Sequence, residues 1–333
     1  MSIRSTAIIG AGGWGTALAA LWSKRGNAIV LWGNNPERAA KLRETRENSD
    51  YLPGVKLPDA IHVTSDIADC SSADLIVFVT PSIALRSVAK RLQAANLNSG
   101  AILLSGTKGI EHGTGMRMSE VLHETFSGLT VAVLSGPNLA VEIARGLPTA
   151  AVLGCRDHEC AEELQSYLGS ARFRIYSSDE TIGIELGGAL KNVFAIAAGA
   201  GDGVGLGDNS KAALVTRSLA ELVRLGTAMG GNPRTFYGLS GAGDLIATCF
   251  SQLSRNRRVG ERLGRGETLE QIRASTHTVA EGIPTAKSAF ECARKLQIET
   301  PIIDQIYSVV HEDKRPDQAI QELLGRDQKS ERA

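Results

Sequence analysis

The segment IIGAGGWGTALAALW, residues 8–22, decides the fold of this chain. Gly10, Gly12 and Gly15 stand in G-x-G-x-x-G spacing between an apolar strand-like run and an apolar helical one. In that setting the first glycine makes a tight turn, the second lets a pyrophosphate approach the backbone, and the third allows close helix–sheet packing. The helix start then offers amide donors and a partial positive charge to phosphates. Outward from this segment, short apolar runs alternate with helical patterns. Strands are expected at 6–10, 28–32, 61–64, 75–80, 101–105, 131–135, 150–154 and 173–176. Most are continuous rather than alternating, as parallel strands covered on both faces require. Asn35-Pro36 reads as an N-cap followed by proline at the first helical position, and Gly26 as the close of the first helix.

After Ser178 the strand signals stop, and helical stretches follow, separated by glycine-rich turns expected at 199–207 and 229–233. The expected fold is therefore α/β: a Rossmann-type doubly wound parallel sheet over 1–178, then an all-α domain over 179–333. Residues 327–333 read as a disordered tail, and the 199–207 segment as a candidate mobile loop. With 36 basic and 36 acidic residues the chain carries no net charge, so nothing in its overall charge marks a nucleic-acid partner. No apolar run approaching the ~20 residues of a membrane span stands out, and MSIRSTAIIG has no secretory pattern. A cytoplasmic protein without membrane insertion is the expectation. The five cysteines form no C-x-x-C pair, and histidines including His277 show no ligand spacing with them, so no metal is expected.

ELGGALKNVFAIAAG, residues 185–199, places Lys191 and Asn192 among small apolar residues. An ammonium there either snorkels to solvent or faces a site that needs it. SGTKGIE puts Lys108 between glycines at the C-terminal end of a strand, where ligands lie in open α/β sheets. SGPNLA, with Gly136 and Asn138, likewise follows a strand and offers amides and a side chain at a helix start. GLSGAGDL sets Asp244 in a glycine-rich turn. LSRNRRVG strings together Ser254, Arg255, Asn256, Arg257 and Arg258, a donor set suited to phosphate or, equally, a solvated basic helix face. A dinucleotide, a phosphate and a lysine near an inter-domain cleft fit reversible hydride transfer on a phosphorylated ketone or alcohol. Lys191 would act as general acid/base, its pKa lowered by burial.

GAGGWGTALA, SGTKGIE, SGPNLAVEIARGLPTA, ELGGALKNVFAIAAG, GLSGAGDLIATC and SQLSRNRRVG together resemble the bacterial soluble NAD(P)-dependent glycerol-3-phosphate dehydrogenases, in collinear order. The resemblance implies interconversion of sn-glycerol 3-phosphate and dihydroxyacetone phosphate with NAD(H) or NADP(H), feeding phospholipid synthesis, in a homodimer. It implies Lys191 as proton acceptor and Lys108 shared by cofactor and substrate. Gly136, Asn138, Asp244, Ser254, Arg255 and Asn256 fall on the substrate side. Gly13, Trp14, Ala140, Arg255, Val279 and Glu281 fall at the cofactor, beside Gly10, Gly12 and Gly15. Gly13 stands where the family usually has Ser, Asn138 where it has Ser or Thr, and Gly33-Asn34 where arginine is frequent, so LWGNNPER leaves the choice between NADH and NADPH open. Two other readings share the architecture: a 3-hydroxyacid or 6-phosphogluconate dehydrogenase relative, and a redox-sensing binding protein that kept the cofactor site.

Overall fold

A computed structural model describes residues 3–24, 26–276, 279–328 and 330. His277 and part of the 327–333 tail lie outside the described residues. Eight strands form one sheet: β1 (Ser5–Ile9), β2 (Ala28–Trp32), β3 (Ile61–Thr64), β4 (Leu75–Phe78), β5 (Ile102–Ser105), β6 (Val131–Ser135), β7 (Thr149–Gly154) and β8 (Phe173–Ser178). All eight expected strands are present. Their order, β3-β2-β1-β4-β5-β6-β7-β8, reverses direction beside β1, which puts a crevice at the C-terminal ends of β1 and β4.

The sheet is not wholly parallel, as the sequence suggested. β6 and β7 run antiparallel, with Val133 opposite Gly154. A parallel return needs a crossover that travels back along the strand. The 136–148 link contains only the five-residue helix α5 (Ala140–Ala144), about 7.5 Å long, so the chain re-enters the sheet from the same end. The other helices of this half are α1 (Gly13–Ser23), α2 (Pro36–Thr45), α3 (Ser82–Gln93), α4 (Met118–Thr125) and α6 (His158–Leu168). Asn35 caps α2 as its sequence implies, accepting the Arg38 amide. Neighbours on β1 face opposite layers: Ile8 packs with Trp22 of α1 and Leu164 of α6, and Ile9 with Trp32, Phe78 and Leu85 of α3.

From Thr181 onward the regular structure is helical. α7 (Thr181–Val204) is surrounded by α8 (Asp208–Ala228), α9 (Asp244–Phe250), α10 (Arg255–Gly264), α12 (Gly282–Leu296), α13 (Pro301–His311) and α14 (Pro316–Leu324), while α11 (Leu269–Ala274) packs on α10. Two expectations fail on α7. The 199–207 segment is neither a turn nor a mobile loop up to Val204; the helix ends only at Gly205, whose φ is 90°. Its glycines are a packing surface, because a Cβ on Gly199 would lie 1.9 Å from the Arg257 carbonyl oxygen, and one on Gly260 2.0 Å from that of Ile196. α7 and α10 touch backbone to backbone, which no side chain permits. The helix is also long and apolar enough to cross a membrane, with mean hydropathy 1.3, contrary to the first reading. Yet 89% of that window is buried in the protein, so its apolar character belongs to a core helix.

Candidate active site

The glycine loop has the shape an anion needs. Gly10 turns at φ 127°, and a Cβ on Gly15 would come 2.0 Å from the Gly10 carbonyl oxygen, which locks helix to loop. A Cβ on Gly12, by contrast, would meet nothing within 4 Å. Open space thus lies over the start of α1, whose N-cap Gly12 supplies no side-chain acceptor. The first-turn amides have no intrahelical partner and point at that space. Gly13 lies against the Tyr51 carbonyl and near Ala140, while the Trp14 indole reaches the backbone just after β5, by Gly106. The residues present therefore fit a dinucleotide's phosphates.

Glu281 arrives from the helical half. It accepts from the Ser82 amide at 3.2 Å and from the Ser82 hydroxyl at 2.6 Å. The N-cap of α3 is Pro81, which makes no side-chain cap bond, so Glu281 caps that helix across the cleft. Burial raises its carboxyl pKa, with Ser82 opposing. Arg255 leaves part of its side chain exposed, while burial of its guanidinium lowers its pKa against the attraction of Glu281. Val279 stays exposed in the segment leading to Glu281.

The lysines meet around one carboxylate. Asp244 opens α9 directly after a single π-helical turn, Leu239–Gly243, rather than lying in an open turn. Its Oδ2 accepts from Lys108 Nζ at 2.6 Å, and its Oδ1 lies 3.0 Å from Lys191 Nζ. Lys191 also donates to Thr248 Oγ1 at 2.7 Å, and Thr248 donates in turn to Asp244 Oδ1 at 3.1 Å. Only 6% of Lys191 is exposed, so it does not snorkel. Burial lowers its pKa to about 8 against the attraction of Asp244, and the like charge of Lys108 pushes the same way as burial. For Asp244, burial favours the neutral acid, but the two ammonium groups prevail and hold its pKa below the usual carboxylate value. α7 is tied to the sheet half through Glu185, which accepts from Arg117 Nη1 at 2.7 Å and the Ser119 amide at 2.8 Å. That tie helps hold Lys191 opposite the ends of the strands.

Lys108 donates also to the Gly136 carbonyl, at 2.9 Å. Asn138 does not cap α5 as its sequence suggested, since the N-cap is Leu139; its Nδ2 donates to the Ala150 carbonyl instead. Asn138 Oδ1 and Ser135 Oγ are buried without a hydrogen-bond partner among the described residues. A wall of unsatisfied polar groups next to a paired lysine suits a hydroxylated ligand.

The basic run divides. Ser254 caps α10 by accepting the Arg257 amide. Asn256 joins three helices, donating to Asn192 Oδ1 at 2.8 Å and accepting from the Gly282 amide at 2.9 Å. Arg257, expected among the phosphate donors, is internal: it pairs with Asp202 at 2.6 Å and Glu261 at 3.1 Å. An α-helix rotates each successive side chain by about 100°, so five consecutive residues cannot face one ligand. Arg255 is the arginine of the run that feels the charge of Glu281. Thr248 and Tyr51 escaped the sequence reading. Thr248 carried a usable signal, standing four residues after Asp244 on one helix face; Tyr51 carried none. Among the described residues no cluster of three or more His, Cys, Asp or Glu side chains could hold a metal.

Residues 5–161 match the family described as NAD-dependent glycerol-3-phosphate dehydrogenase N-terminus, and residues 180–321 the corresponding C-terminus. A protein named glycerol-3-phosphate dehydrogenase [NAD(P)+] from Corynebacterium glutamicum is 46% identical, covering 98% of this chain and 99% of its own length. One of the same name from Chlorobium luteolum is 44% identical over the same shares. The crystal structure of glycerol-3-phosphate dehydrogenase from Coxiella burnetii superposes with a TM-score of 0.94 at 37% identity, over 97% of this chain and 99% of that one. With both halves matched and near-complete overlap in sequence and structure, this chain belongs to the NAD-dependent glycerol-3-phosphate dehydrogenase family.

Proposed function

We propose that this chain interconverts sn-glycerol 3-phosphate and dihydroxyacetone phosphate with NAD(H) or NADP(H), and that Lys191 is its proton acceptor and donor. The observation that carries the reading is a buried amine with pKa about 8, bonded to a carboxylate that a second lysine shares. In the oxidative direction neutral Lys191 takes the C2 hydroxyl proton; in the reductive direction its ammonium returns one. At pKa 8 rather than 10.5, about one amine in ten is neutral at pH 7 instead of about one in three thousand. The nicotinamide, when bound, accepts or supplies the hydride.

Lys108, fixed by Asp244 and the Gly136 carbonyl, places a positive charge beside the oxygen that changes charge. Asp244 holds both lysines in register, and the Thr248 hydroxyl completes the bonding of Lys191. Gly136 and Asn138 bound the carbon skeleton. Arg255, the Ser254 hydroxyl hydrogen and the remaining Asn256 amide hydrogen serve the phosphate. Gly10, Gly12, Gly13, Trp14, Gly15, Ala140, Val279 and Glu281 line the cofactor side. The functional boundary falls at residues 178/179, and the protein works as a cytoplasmic homodimer supplying glycerol 3-phosphate for phospholipid synthesis.

The test is steady-state reduction of dihydroxyacetone phosphate with NADH and with NADPH, next to unphosphorylated dihydroxyacetone. Turnover that depends on the phosphate supports the reading. Cofactor binding without turnover of any of these overturns it.

A further inference from the structure

The end of β2 carries a feature that the reaction does not use. In a Rossmann unit this is where the adenosine ribose is read: an acidic residue accepts the 2′-hydroxyl of NAD, and a nearby arginine accommodates the 2′-phosphate of NADP. Here Gly33 and Asn34 follow β2 and bring no carboxylate. A guanidinium comes instead from α3, on the far side of the crevice. Arg91 Nη1 donates to Asn34 Oδ1 at 2.7 Å, and its Cζ lies 5.3 Å from the centre of the Trp32 ring. Arg91 shares one exposed stripe of α3 with Ile83 and Ser87, at four-residue spacing. Ile83 is 72% exposed, an apolar residue in the first turn of that stripe.

Two consequences follow from donor chemistry. Arg91 has five N–H donors and no acceptor, and among the described residues Asn34 takes one of them. Because Asn34 Oδ1 must face Arg91, its Nδ2 is turned outward as a second donor. Arg91 and Asn34 therefore turn donors toward a ligand, with the guanidinium already oriented by stacking on Trp32. The other arginine near β2 is committed elsewhere: Arg38 donates to Tyr51 Oη at 2.6 Å and lies 3.7 Å from Asp50.

We infer that Arg91, with Asn34, is the cofactor-specificity determinant of this protein, binding the 2′-phosphate of NADP(H) from α3 and favouring NADP(H) over NAD(H). The inference rests on the dinucleotide reading of the glycine loop. It is tested by isothermal titration of the full chain with NADPH, NADH and 2′,5′-ADP, in wild type and in Arg91→Ala, Arg38→Ala and Asn34→Asp. Expected are NADPH binding at least about tenfold tighter than NADH, and loss of at least about tenfold in NADPH and 2′,5′-ADP affinity in Arg91→Ala. NADH affinity in that variant changes less than about threefold. Asn34→Asp, which pairs with Arg91 and repels phosphate, reverses the preference. Equal losses for both dinucleotides in Arg91→Ala, or a selective NADPH loss in Arg38→Ala instead, overturn the inference while leaving the dinucleotide site standing. Failure of NADH and NADPH alike to bind wild type overturns both.

Discussion

Replacing Asp244 by Asn removes one negative charge from between two ammonium groups while keeping the size of the side chain. Lys191 Nζ lies 3.0 Å from that carboxylate, so by Coulomb's law the charge favours the ammonium by ~1.4 kcal/mol in a water-like medium and ~5.5 kcal/mol at an effective dielectric of ~20. At about 1.4 kcal/mol per pH unit, the Lys191 pKa falls from about 8 by at least ~1. Lys108, repelling Lys191 without a counter-charge between them, moves it the same way. The assay is kcat/KM for glycerol 3-phosphate oxidation between pH 7 and 10, above the second ionisation of a phosphate ester near pH ~6. In wild type the rate rises through about pH 8, because oxidation needs the neutral amine, and kcat/KM reports groups of the free enzyme. In Asp244→Asn that limb moves down by at least ~1 or leaves the window, while the plateau drops roughly 10–100-fold because Lys108 loses its anchor. A limb that stays at pH 8, or moves upward, refutes the assignment of Lys191 as the base poised by Asp244.

Lys191→Ala is expected to cut turnover at least about a hundredfold while NADH binding, followed by fluorescence, stays within about threefold; near-normal turnover removes Lys191 from the chemistry. Arg255→Ala is expected to raise the KM for dihydroxyacetone phosphate and leave Tm within about 2 °C, since the residue is exposed and no salt bridge among the described residues depends on it. Arg257→Met does the reverse. Removing the buried guanidinium from Asp202, which Lys211 still holds at 2.8 Å, costs about 1–3 kcal/mol, or roughly 2–8 °C in Tm, with KM little changed. Gly199→Ala forces a methyl into the Arg257 carbonyl and costs about 1–3 kcal/mol in chemical denaturation; a neutral result contradicts the backbone contact of α7 and α10.

Much of the fold was legible because its signals are local. The eight apolar runs match the eight strands, and Asn35-Pro36 caps α2, because strand burial and helix capping are written in a few adjacent residues. The same holds for the glycine loop, whose turn and open amides depend on three positions. Errors arose where a residue's meaning depends on a distant neighbour. Glycines in 199–204 look like a turn in isolation and become a helix surface only against α10. Arg255 and Arg257 are indistinguishable in the sequence, yet one lies near Glu281 and the other is buried against Asp202. Thr248 acquires its part only when α7 brings Lys191 beside it.

The sequence by itself determined the two-part architecture, the cofactor loop and the presence of a lysine in an apolar helix, since each follows from short-range periodicity and spacing. The tertiary structure alone decided the direction of β7, the core position of α7 and the surroundings of Lys191. The last is the deciding case: burial within the helical half lowers the pKa of that amine, while Asp244 from α9 and Lys108 from the segment after β5 set how far. Such a balance of desolvation and charge exists only once segments far apart in the chain share a few ångströms.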